Sequence, residues 1–215
     1  MENNRWCTRF DHAELLPELR TCGCLFITSA VEAVDDDILR LLDKNHTGRD
    51  FDRAVALTRE AGIALAPTFV AFTPWTTLEG YIALLERRVE MQLVESVPPV
   101  ELTIRLLVPE GSYLLRLPGF KEKLMPFDPK LLGYPWRHSD PRVDRLQQEL
   151  QALVARSEKE SLARREVFAA IWRMAHEAAG RPAPKLSGNL GSPIARLSEA
   201  WYCCAEPTDQ QLQSF

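Results

Sequence analysis

Concentrated charge of one sign and long apolar runs are both absent from this sequence. Lys and Arg are interleaved with Asp and Glu along the chain, and the net charge at pH 7 is −4. Because a nucleic-acid surface gathers positive charge on one face, no nucleic-acid partner is expected. No apolar run approaches the ~18 residues of a transmembrane helix, and none follows Met1 as in a secretory leader. We therefore expect a cytoplasmic protein with no membrane partner.

Cysteine and histidine are scarce, with five and four residues in a chain of 215. A chain of this length buries roughly 70% of its unfolded surface, so its folding needs no disulfide framework and no structural metal. Cys22 and Cys24 would share one face at the start of a strand, where two packed thiols are a simpler interpretation than a ligand pair. No metal site is predicted. The four histidines lack zincin spacing and are interpreted as ordinary surface or core residues: His12, His46, His138 and His176.

The first half of the chain alternates short apolar runs with helical periodicity, the pattern of βα units around a parallel sheet. Helices are predicted over 11–21, from Asp35 to near Lys44, from a Thr47 cap to Gly62, and from Thr76 or Thr77 to about Leu93. Pro67 lacks a ladder donor, so an irregularity is expected there. Three strands are predicted, over 24–31, 63–72 and 102–108.

The second half begins with a segment rich in Pro and Gly, which is typical of a loop-rich connection. Asp140 as cap and Pro141 in the first turn then predict a long helical stretch that breaks near residues 157–161 and ends at Gly180. These signals divide the chain into an α/β part over 1–117, a connector over 118–140, a helical extension over 141–184 and a tail over 185–215.

Three stretches of the sequence resemble the radical S-adenosylmethionine (radical SAM) superfamily. Residues 20–47 contain RTCGC, then VE, then KNHT, in the order found in that family. Residues 61–77, AGI followed by FVAFTPWTT, resemble its next strand, and CCAEP at 203–207 is similar to the tail of the CUAEP/CCAEP-tail radical SAM proteins. The resemblance covers about residues 20 to 207.

The resemblance implies a fold, a cofactor and site residues. The fold would be a partial (β/α) radical-SAM-type barrel with parallel strands, followed by a helical C-terminal extension. The complete protein would hold S-adenosylmethionine against a [4Fe-4S] cluster and cleave it reductively for radical chemistry on an unknown small molecule or peptide. By position, Glu32 would contact the ribose or methionyl end, with Ser29 and Thr73 lining the same site. For Glu32 the alternative is a strand-end carboxylate paired with a Lys or Arg of the barrel, and for Thr73 it is a helix cap that fills the barrel mouth.

The family's cluster-binding motif CxxxCxxC is missing from this chain, since CGC and the adjacent Cys203 and Cys204 have the wrong spacing. We therefore expect the C-terminal portion of a radical SAM enzyme, inactive alone, that pairs with a missing N-terminal half. The alternative is a non-catalytic half-barrel interaction module.

The tail thiols are the candidate catalytic residues, because some relatives carry selenocysteine at the position of Cys204. Adjacent thiols can form a strained disulfide, bind a soft metal or act as a nucleophile, and the alternative is an inert buried pair beside Trp201 and Tyr202.

Overall fold

The structure, a computed structural model, describes residues 12–194. Two strands form one parallel sheet, β1 (Phe26–Glu32) and β2 (Ala64–Phe69). Within these residues six α-helices accompany them: α1 (Leu16–Thr21), α2 (Asp36–Leu41), α3 (Gly48–Glu60), α4 (Leu78–Glu90), α5 (Pro141–Lys159) and α6 (Arg164–Ala178). Short 3-10 helices lie at Ala13–Leu15, Pro99–Leu102, Tyr113–Arg116 and Lys121–Lys123.

The predicted partial barrel is wrong. Within residues 12–194 the sheet has two strands, and the run 102–108 joins it only through one parallel bridge between Phe72 and Arg105. Pro98 and Pro99 open a 3-10 helix that occupies the start of that run. Beyond the bridge, Tyr134 donates its N–H to the Val108 carbonyl at 2.8 Å, so the connector takes up backbone groups that another parallel strand would need.

The helix caps follow the predicted local chemistry. Thr47 and Asp50 form a reciprocal capping box at the start of α3, and Gly62 follows that helix with a φ of +70°. Asp140 accepts the Arg142 N–H at the start of α5, with Pro141 in the first turn. Helices α5 and α6 are separated where the break was expected. The helix predicted over 11–21 is a 3-10 turn followed by the short α1.

Both halves of the described chain contribute to one buried cluster. It includes Val31 from β1, Phe69 from β2, Leu85 from α4 and Ile171 from α6. Helix α6 packs on α4 and α5, and the Arg88 guanidinium lies 5.1 Å from the Phe168 ring centroid. Among the helices of residues 12–194, none is both long and apolar enough to cross a bilayer.

The strand irregularity lies in β1, not at Pro67. Pro67 pairs in register with Ser29, and the register shifts between Ala30 and Glu32. A proline can occupy a strand position whose N–H is not needed by the ladder, and this explains why β2 continues through it. Val31 is the extra residue of this bulge, and it lies on β1 between the paired residues Ala30 and Glu32.

Candidate functional site

Strand β1 ends in a tight turn around Glu32. The Ala33 N–H donates to the Val31 carbonyl at 2.8 Å, and Glu32 has a φ of +67°. A hydrogen bond from residue i+2 to residue i across a central residue with positive φ is the rare, strained form of the γ-turn. The Glu32 carbonyl still accepts the Val70 N–H at 2.9 Å, so the turn stays attached to the segment after β2.

The Glu32 carboxylate is buried and paired with one lysine. Its Oε1 accepts a hydrogen bond from Lys44 Nζ at 2.8 Å. The Glu32 side chain is 10% exposed, whereas that of Lys44 is 34% exposed. This ion pair matches the alternative given for Glu32, a strand-end carboxylate paired with a cation, and it places one charge of each sign side by side at the end of β1.

The end of helix α2 determines where Lys44 lies. Lys44 N–H donates to the Leu39 carbonyl at 2.9 Å and Asp43 N–H to the Arg40 carbonyl at 3.1 Å, while Asp43 has a φ of +53°. These two bonds with a left-handed residue between them form a Schellman motif. This motif turns the chain out of α2 and back toward the end of β1.

His46 holds the same returning segment against the strand. Its Nε2 lies 3.0 Å from the Val31 carbonyl oxygen, the same oxygen that accepts the Ala33 N–H. A carbonyl only accepts, so Nε2 carries a proton and donates. Thr47, the next residue, caps α3. Residues 44–47 are thus fixed at one end by the strand and at the other by a helix.

Thr73 is occupied with local hydrogen bonds. Its hydroxyl pairs with that of Thr76 at 2.9 Å and accepts the Trp75 N–H at 3.3 Å, and its exposed fraction is 0%. Trp75 in turn stacks on Phe120 with ring centroids 5.3 Å apart. These contacts lie within the turn before α4, whose N-cap is Thr77 and not Thr73, and Trp75 links that turn to the connector.

Ser29 is the remaining predicted site residue in the part of the chain that the structure describes. Ser29 lies in β1 with 1% exposure, opposite Pro67. Cys203 and Cys204 lie outside the described residues. Cys22 is exposed at the end of α1, so the expected pair of packed thiols on a strand is wrong, and the Cys24 Sγ lies 3.5 Å from the Phe26 carbonyl oxygen. In the part of the chain described, no three His, Cys, Asp or Glu side chains are grouped as a metal site.

Two concave surfaces lie elsewhere. A cavity of about 340 Å³ is bordered by Asp36, Arg49 and Arg87, and one of about 440 Å³ lies between the α5–α6 turn and residues 98–100. Neither is lined by Glu32 or Lys44. We base the candidate site on the buried charge and the strained turn, because concavity alone assigns no chemistry.

Lys44 and His46 are the residues that sequence reasoning did not assign to the site. The feature that could have identified them is the short length of α2, which has six residues. At 1.5 Å per residue such a helix advances only about 9 Å, so the segment that follows it stays close to the end of the preceding strand. Polar residues directly after a helix this short are therefore candidates for contact with that strand end.

Comparison with known proteins adds no relative. No protein-family model matches the chain, and neither the curated proteins nor the solved structures contain a match to it.

Proposed function

We propose that the Glu32–Lys44 pair binds the amino-acid end of S-adenosylmethionine, and that the chain is the C-terminal portion of a radical SAM enzyme. The methionyl end carries an ammonium and a carboxylate on one carbon. A buried carboxylate beside a half-exposed lysine matches both charges, because each can form a charge-assisted hydrogen bond with the opposite group. The resemblance of residues 20–47 to that family supports the choice of ligand.

The strained backbone at Glu32 is the observation that carries this proposal. A non-glycine residue at a φ of +67° costs about 1–2 kcal/mol relative to an extended residue. Such strain persists where the surrounding structure fixes it, and it is concentrated at binding and catalytic residues. Here it falls on a buried carboxylate at the C-terminal end of a parallel strand, the edge where ligands of α/β folds bind.

The two cysteines among the described residues do not fit a [4Fe-4S] cluster. Cys22 and Cys24 are two residues apart, one exposed at a helix end and the other against a backbone carbonyl. The CxxxCxxC spacing occurs nowhere in the sequence. We therefore derive no step through a cluster and restrict the proposal to ligand binding, with the cluster supplied by another polypeptide segment.

Calorimetric titration of the full chain with S-adenosylmethionine tests the proposal. Glu32→Gln should weaken binding tenfold or more, since a hydrogen bond to a charged group contributes about 1.5–3 kcal/mol. Glu95→Gln is the matched control, because Glu95 Oε1 is also a buried carboxylate oxygen that pairs with a cation, Arg165 Nε, at 2.9 Å. The control should bind like the wild type.

The lysine is tested with a ligand that lacks its partner group. Lys44→Met should weaken binding of S-adenosylmethionine but leave binding of the decarboxylated analogue unchanged, because only the former carries the carboxylate. An undetectable titration with the wild-type chain, or equal affinities for the wild type and Glu32→Gln, would overturn the proposal.

A second function is favoured by the open side of β1. Among the described residues, β1 has a strand neighbour on one side only, and exposed leucines precede it: Leu15 at 46%, Leu19 at 44% and Leu25 at 59%. An unpaired strand edge beside apolar side chains is a template for another chain. The chain would then act as an interaction module whose partner adds a strand to β1.

Light scattering of concentrated protein tests this second function. Leu19→Lys and Leu25→Lys together should reduce self-association, because they place charge beside the open edge. Leu132→Lys is the control, since Leu132 is 70% exposed in the connector. Equal aggregation of the wild type and the double variant would rule out this edge as a binding surface.

A further inference from the structure

We propose that His46 is the positioning residue of the Glu32–Lys44 site. The inference rests on the proposed function and extends it to a residue that has no contact with the ligand. The His46 ring donates from Nε2 to the Val31 carbonyl at 3.0 Å, one residue before Glu32. His46 thereby acts on the carboxylate through the backbone.

The Val31 carbonyl is the group through which His46 acts on the turn at Glu32. Val31 is 0% exposed and lies at the register shift, where the extra residue breaks the regular ladder. Its oxygen accepts one hydrogen bond across the strained turn, from Ala33, and a second from His46. Without the imidazole, a buried carbonyl would depend on the turn bond alone, and the peptide could rotate to regain a better partner.

The same ring also places Lys44. His46 is two residues after Lys44 in a segment that leaves α2 through a Schellman motif and enters α3 through the Thr47 cap. Attaching the middle of this segment to β1 fixes the distance that the lysine side chain must span. One hydrogen bond therefore orients both charged members of the site, the carboxylate through the turn and the lysine through its loop.

Three substitutions separate this role from simple packing. His46→Phe keeps a planar ring without a donor, His46→Gln keeps an N–H donor at similar reach, and His138→Phe is the control for loss of a half-buried histidine elsewhere. Calorimetric titration with S-adenosylmethionine should show about tenfold weaker binding for His46→Phe and near wild-type affinity for His46→Gln. His138→Phe should bind like the wild type.

Two readouts separate positioning from folding. All titrations are made where circular dichroism shows the variants fully folded, so loss of stability alone would leave affinity unchanged. His46→Phe should also add a smaller loss in the Glu32→Gln background than in the wild type, because the part that acts through Glu32 is already lost and only the part that acts through Lys44 remains. Full additivity there, or wild-type affinity of His46→Phe, would overturn the inference.

A measurement without ligand keeps the inference testable if the proposed function fails. In nitrogen-15 spectra of the free chain, the wild-type His46 should show the Nε2-protonated tautomer, and the Lys44 ammonium should exchange slowly with water. His46→Phe should accelerate that exchange and His46→Gln should restore it. If His46→Phe leaves the ammonium exchange unchanged, the positioning role is overturned. If the exchange rates are as expected but S-adenosylmethionine does not bind, the ligand is rejected and His46 remains the residue that positions the pair.

Discussion

Replacing Glu32 by glycine and by alanine measures the strain in the β1 turn directly. Both changes remove the carboxylate and its bond to Lys44, so the difference between them reports the backbone alone. In an ordinary strand, glycine is less stable than alanine by about 0.5–1 kcal/mol. At the φ of +67° found for Glu32 the order should reverse, because a Cβ costs about 1–2 kcal/mol there and glycine has none. We expect Glu32→Gly to be about 1 kcal/mol more stable than Glu32→Ala.

Urea unfolding followed by tryptophan fluorescence checks this expectation. For a slope of about 2 kcal/mol per molar urea, the midpoint of Glu32→Gly should lie about 0.5 M above that of Glu32→Ala. Ala30→Gly is the control in the same strand, before the register shift, and should lower stability by about 0.5–1 kcal/mol. If Glu32→Gly is the less stable of the two, the turn is not strained and the main support for the site is lost.

Further predictions concern the core and the helix caps. Leu85 is 0% exposed, and Leu85→Ala should lower the free energy of unfolding in urea by about 3 kcal/mol. Leu132 is 70% exposed, and Leu132→Ala should lower it by less than about 0.5 kcal/mol; equal losses would contradict the burial of Leu85. Thr47→Ala should cost about 1 kcal/mol, because α3 loses its N-cap acceptor; no loss in the same assay would contradict the cap. Hydrogen bonds from Arg142 lower the pKa of Asp140 from 3.8 to about 2. The ionised carboxylate therefore stabilises the folded chain fully at pH values above its ordinary pKa, and this stabilisation is lost as the pH falls through the lowered pKa. Between about pH 5 and about pH 2.5, the thermal midpoint of Asp140→Asn should therefore fall less than that of the wild type.

The helix boundaries could be predicted from the sequence because their chemistry is local. The Thr47–Asp50 capping box and the left-handed Gly62 involve atoms a few residues apart, so the chain segment itself contains the information. The same holds for Asp140 at the start of α5 and for Gly180, which has a φ of +74°. None of these depends on what lies across the molecule.

The strand pairing that a barrel needs could not be predicted in this way, because it is decided by segments far apart in the sequence. The run 102–108 does show the buried alternation of a strand, with Ile104, Leu106 and Val108 inside. Its backbone, however, meets the sheet at a single bridge, and the Arg105 guanidinium lies 3.5 Å from the Trp136 ring centroid and pairs with Asp144 of α5. The connector was expected to be a loop and α5 to be part of a helical extension. Both instead make contacts with this run that further strands were expected to make.

For a related reason, only part of the candidate site could be predicted from the sequence. Glu32 could be named because it ends an apolar run, where α/β folds bind ligands. Lys44 and His46 were not assigned, because their contacts depend on a helix that proved to be only six residues long. Ser29 and Thr73 were chosen by position, and the structure places both inside, with exposed fractions of 1% and 0%.

Comparison of Glu32 with the other left-handed residues shows why its conformation calls for a functional explanation. Asp43, Gln92 and Ser161 also have positive φ, but each lies two residues beyond the last residue of a helix, where a left-handed residue closes the last turn. Leu132, the fourth, lies in the exposed turn between the bridged residues Asp128 and Gly133. Glu32 ends a strand, so no helix cap accounts for it. Glycine would take this conformation at lower cost, and the carboxylate found there instead faces a lysine that reaches solvent. A binding role for that carboxylate explains both the residue type and the strain with one cause.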